Sequence, residues 1–185
     1  MSGIGHNRGP ELDAPLAWRR FAWARAREAL LPVLPIEVVR LRVKRAQELG
    51  LPYRSYAGIR AATGRDVIGL LFSSNALAVL RAGQTLSQDR RDRLAALIRV
   101  DRTGVVHLPL DPAALVPPLD AAVAAPRFSD PWPAMRDCIA ATIRARGLPA
   151  DACLLIGETS LERDWAEAGR MAGFLSGARY FAASA

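Results

Sequence analysis

"VIGLLFSSNAL", Val67 to Leu77, runs apolar without interruption and then breaks at two serines and an asparagine. A strand with one wet face alternates polar and apolar residues. A continuous apolar run of this length marks a strand covered on both faces, the habit of parallel sheets. "ACLLIGETSLERD", Ala152 to Asp164, repeats the build, with a buried strand ending at Gly157 and then Glu158, Thr159 and Ser160. "GVVHLPL" (residues 104–110) reads as a strand between them, and "ARYFAA" (residues 178–183) as a last one. Helices are expected from Asn75 to Arg81, from Ser87 with Asp89 in the first turn, from Asp130 and Pro131 to Arg146, and from Thr159 to Met171. Residues 109–133 hold seven prolines and are expected to be mostly loop. Strands alternating with helices predict an α/β fold over residues 66–185: a small, mostly parallel sheet of three to four strands flanked by helices.

Upstream of this domain the texture changes. Asp13 can cap a helix expected to continue to about Leu31 and stop at Pro32 and Pro35. "IEVVRLRVKRAQEL" opens a second helix at Ile36, and a short third spans Arg54 to Ala62 and ends at Gly64. The net charge is +7, and residues 1–66 carry twelve basic and six acidic side chains. An excess gathered in the first third implies an anionic partner for that segment. The chain thus reads as a flexible tail (1–13), a basic helical unit (14–65) and the α/β domain (66–185). Within the tail, "GIGHNRGP" (residues 3–10) is no nucleotide loop, because its third glycine comes one residue late for G-x-G-x-x-G and no strand precedes it. The element resembles a "GIGHNxGP" tag of uncharacterised alphaproteobacterial and phage proteins, a resemblance that implies no activity.

"VKRAQELGLPYRSYAGI" (residues 43–59) carries the sharpest local pattern. With Gly50 as a turn glycine, Ala46 supplies the small residue that lets two helices cross closely, and Leu49, Leu51, Tyr56 and Ile59 bury the corner. Residues 43–60 therefore resemble the DNA-binding helix-turn-helix, although Arg45 stands where an apolar residue is usual and Gly58 weakens the second helix. The resemblance implies that Tyr53, Arg54, Ser55 and Arg60 face bases or phosphates, with Arg65 beyond them and Arg40 and Lys44 against the backbone. Many such modules bind as homodimers. In "WRRFAWARAR", Arg19, Arg20 and Arg27 interleave with Trp23, with Arg19–Trp23 and Trp23–Arg27 at i,i+4 spacing, a combination that suits stacking and phosphate neutralisation. The competing reading of both helical stretches is a structural corner with a solvated arginine face, or a dock for an acidic protein.

In parallel α/β sheets ligands sit beyond the carboxyl ends of strands, where helix N-termini offer free N–H groups. Two junctions qualify here: Ser73, Ser74 and Asn75, and Gly157, Glu158, Thr159 and Ser160. Each could hold a small anion, or serve only as a helix cap. Thr159 with Glu162 spells the capping box T-x-x-E. Residues 152–174 also resemble the fourth motif of the haloacid dehalogenase superfamily, with Gly157, Glu158, Asp164, Ala172 and Gly173 at the matching positions. That family's first motif needs two aspartates after a buried strand, whereas this chain has Ser73, Ser74 and Asn75. The resemblance therefore implies a relative that keeps the fold without phosphoryl transfer.

No G-x-S-x-G elbow, H-E-x-x-H or P-loop occurs. Two histidines and no C-x-x-C leave no dedicated metal site, and no cofactor is expected. His107 reads as a packing or hydrogen-bonding residue on its strand rather than a catalytic base. Cys138 and Cys153 read as buried free thiols of a cytoplasmic protein. The longest uncharged apolar stretch, Val67 to Leu80, is too short to cross a bilayer. The expected function is non-catalytic binding of nucleic acid, DNA before RNA, by the basic helices, with the α/β domain serving assembly or ligand sensing. The alternatives are a phosphate- or nucleotide-handling enzyme, an inactive haloacid dehalogenase-like protein, and an adaptor for an acidic partner.

Overall fold

The computed structural model describes residues 34–182. The tail, its tag and the helix expected from Asp13 to Leu31 lie outside them. In chain order the elements are α1 (Ile36–Glu48), α2 (Tyr53–Thr63), β1 (Gly69–Ser73), α3 (Gln88–Ala95), β2 (Asp101–Val106), β3 (Ala121–Ala124), α4 (Trp132–Ala145), β4 (Cys153–Gly157), α5 (Ser160–Ala168), β5 (Gly173–Ser176) and α6 (Gly177–Ala182). Short 3₁₀ turns at Pro112–Leu115 and Ala150–Ala152 lead into β3 and β4. The described residues from Arg40 onward form one compact unit, which holds all of these except the first residues of α1.

The strands make one sheet in the order β3-β2-β1-β4-β5, and every pairing is parallel. The α/β class expected from the alternation of strands and helices is what the chain forms, with five strands in place of three to four. The two extra strands are short. β3 lies inside the proline-dense stretch expected to be loop, and β5 precedes the aromatic "ARYFAA" segment, which is helical rather than extended. Asn75 to Ala78 form a turn where a helix was expected, so the polar residues after β1 sit on a tight bend.

Successive strand residues point to opposite faces, and each face has its own core. Leu70 and Phe72 of β1, with Leu154 and Ile156 of β4, pack against Ala46, Leu49 and Tyr56 of the first helical corner, Leu94 of α3 and Tyr180 of α6. Leu71, Cys153 and Leu155 point the other way, onto Met135, Ile139 and Ile143 of α4 and Trp165 of α5. Burial on both faces is why these strands read as unbroken apolar runs. The helical corner shares its core with the sheet.

Gly50 lies in the left-handed region at φ +63°, where a side chain is strained. The turn is pinned from two sides: the Tyr180 hydroxyl donates to the Leu49 carbonyl at 3.1 Å, and Arg93 donates to the Gly50 carbonyl at 2.7 Å. A Cβ on Gly50 would stand 3.1 Å from both Arg93 Nε and the Tyr180 hydroxyl. Gly50→Ala is therefore expected to lower stability by about 1–2 kcal/mol, read as a fall in the urea midpoint at unchanged slope.

Candidate functional site

The carboxyl ends of β1, β2 and β4 converge on one side chain. Ser73 closes β1, and its hydroxyl caps the following bend by accepting the Ala76 N–H at 3.0 Å. The Ser74 hydroxyl accepts the His107 N–H at 3.2 Å, which joins the β1 end to the residue after β2. At the β4 end, Thr159 caps α5: its hydroxyl accepts the Glu162 N–H at 3.2 Å and its own N–H donates to Glu162 Oε2 at 2.8 Å. The capping box read from T-x-x-E is therefore present.

Glu162 is fully buried. Its Oε2 accepts N–H groups from both Glu158 (2.6 Å) and Thr159, while Oε1 accepts Asn75 Nδ2 at 2.9 Å and lies 2.8 Å from His107 Nε2. An ionised carboxylate only accepts, so His107 Nε2 must carry a proton and donate it. The 3.3 Å approach of Asn75 Nδ2 to His107 Nε2 is then two donors side by side over one oxygen. Burial alone would raise the Glu162 pKa, but hydrogen bonds from His107, from the N–H groups of Glu158 and Thr159 and from Ser73 outweigh it and hold it at about 2. Gly157 makes the approach possible, since a Cβ there would come within 3.0 Å of Glu162 Oε2 and 2.7 Å of Phe174 Cε2.

His107 lies one residue past the end of β2, its ring 4.9 Å from that of the buried Trp165. His107, read from the sequence as packing or hydrogen-bonding, does both here, against Trp165 and Glu162. The capping box had identified Glu162 for one carboxylate oxygen only; the partners of the other come from strands distant in sequence. Glu158 turns away from the centre, its Oε1 accepting the Ala178 N–H at 2.7 Å. Ser160 is exposed.

The basic candidates differ in exposure and in pairing. Arg19, Arg20, Trp23 and Arg27 lie outside the described residues. Arg40 and Lys44 are exposed and one helical turn apart on α1, and Arg54 is exposed on α2. Tyr53, Ser55 and Arg60 are half-buried, and Arg65 pairs with Asp151 at 2.8 Å. Among the described residues Lys44, Arg54 and Arg60 form no ion pair with a carboxylate. Arg54 and Ser55 share a shallow cavity of about 270 Å³ with Phe174 and Arg179. The described residues contain no group of three or more His, Cys, Asp or Glu able to hold a metal ion, and no helix long and apolar enough to cross a membrane. Compared with protein-family models, curated proteins and solved structures, the chain matches none.

The folded pKa of Glu162 is depressed, so its ionised form stabilises the protein fully above the ordinary value of 4.5. That stabilisation is lost as pH falls from 4.5 toward about 2. The contribution is about 3 kcal/mol. Glu162→Gln is expected to lose this acid dependence and to be destabilised by about 3–5 kcal/mol at neutral pH, since an amide cannot accept at both positions. Urea unfolding of both proteins between these pH limits and neutrality measures the difference.

Proposed function

We propose that the protein binds nucleic acid without turning over a substrate, through the basic face of its first two described helices. The observation that carries this reading is the state of the sheet's crevice. Its N–H donors at residues 158 and 159 already serve the Glu162 carboxylate, and a phosphate arriving there would meet a buried negative charge. Binding to an anion falls instead to the cations that no carboxylate neutralises, among them Lys44, Arg54 and Arg60. Their side chains stand on the helical corner built around Gly50, which supports its likeness to a helix-turn-helix.

The crevice favours a second, compatible reading. The haloacid dehalogenase resemblance sets its first motif after one buried strand and its fourth after another, and here those strands are neighbours, β1 and β4. On this reading, serine, serine and asparagine in place of the aspartates leave such a relative without its nucleophile.

Binding of a labelled oligonucleotide, measured by anisotropy over a range of salt concentrations, tests the main reading. Log K should fall linearly with log salt, with a slope of about −0.9 per phosphate contact on duplex and −0.7 on a single strand. Replacing Lys44, Arg54 and Arg60 together with glutamine should weaken binding and flatten the slope by those amounts per lost contact. Unchanged affinity in the triple variant refutes this site.

A further inference from the structure

We infer that the basic surface continues from α2 across the β5 edge of the sheet and holds a single strand of nucleic acid, one unstacked base lying on Arg163. This rests on the nucleic-acid reading above. β5 is an outer strand, and Phe174 on it lines two adjoining cavities. One contains Arg54, Ser55 and Arg179; the other, of about 450 Å³, contains Arg163 and Arg170, with Glu167 as the acid on its wall. None of the four arginines pairs with a carboxylate among the described residues, whereas Arg45, Arg65, Arg99, Arg102 and Arg146 each do.

Phe174 supplies the second component. Its ring packs against the Gly157 backbone, where even a Cβ would collide with it, and the Arg163 guanidinium lies over the ring at 4.8 Å from its centroid. A guanidinium backed by an aromatic ring presents a flat outer face on which a base can stack. Arg54, Arg170 and Arg179 stand around it to meet phosphates. In a duplex the base faces are stacked on one another, so only an unpaired strand can offer a base to this platform and phosphates to its neighbours.

The test uses the full chain with three probes: a short oligothymidylate, an abasic deoxyribose-phosphate strand of the same length and charge, and a duplex. The oligothymidylate should bind at least about fivefold tighter than the abasic strand. Arg163→Lys retains the charge but not the plane. It should bring the two single strands to near parity while leaving the abasic affinity, the salt slope and the thermal midpoint unchanged. If the wild type shows no preference for bases, or Arg163→Lys keeps it, while the abasic strand or the duplex still binds with steep salt dependence, the platform is refuted and the basic-face reading stands. If no probe binds at low salt, both fall.

Discussion

The buried carboxylate of Glu162 is the constraint around which the carboxyl edge of the sheet is organised. A charge taken out of water is tolerated only when its acceptor positions are filled with good geometry. Here the donors come from three separate segments: Asn75 after β1, His107 after β2, and the Glu158 and Thr159 amides after β4. Because β1 lies between β2 and β4, a side chain from α5 can reach all three strand ends at once. The requirement runs outward from there. Gly157 must lack a Cβ, Thr159 must cap α5, and the bend after Ser73 must turn Asn75 inward.

How much of this was legible in the chain depends on where each element is buried. β1 and β4 lie between two helical layers, so their apolar runs are continuous and unmistakable. β3 is an edge strand of four small, half-exposed residues, and nothing in "AAVA" distinguishes it from the proline-rich loop around it. In "GARYFA" the aromatic pair reads as a strand, yet Tyr180 is fully buried while Ala178 and Arg179 are exposed, which is a helix's pattern and not an alternation. Phe72 against Tyr180, edge to face at 5.5 Å, is a tertiary contact that overrides the local preference. The site divides in the same way. Thr159 and Glu162 announce themselves at capping spacing, but the pairing of Glu162 with His107 spans 55 positions and follows only from strand order.

Arg45 shows the same limit from the other side. In the helix-turn-helix pattern an apolar residue is usual at this position. The residue does face inward, but toward polar groups: Asp66 at 2.9 Å, Glu48 at 3.1 Å, and the carbonyls of Val67, Ile98 and Arg99. One guanidinium thus ties α1 to the entrance of β1 and to the loop before β2. Its five donors in a fixed fork suit this cluster of acceptors better than any aliphatic side chain would.

The arginines therefore fall into two populations that a count of charges cannot separate. One is consumed by the fold, as at Arg45, Arg65, Arg102 and Arg146, each held by a carboxylate. Such a pair has little field left to offer a polyanion. The other forms no ion pair with a carboxylate among the described residues, and its members include Arg54 on α2 and Arg163, Arg170 and Arg179 more than a hundred residues later. The imbalance of charge in residues 1–66 hides this second contribution. A parallel sheet whose last strand lies at the edge brings the late residues beside the early helix, and topology makes the cationic surface where sequence proximity does not. With the crevice closed by Glu162, that flank is one place where cations free of carboxylate partners and an aromatic ring coincide.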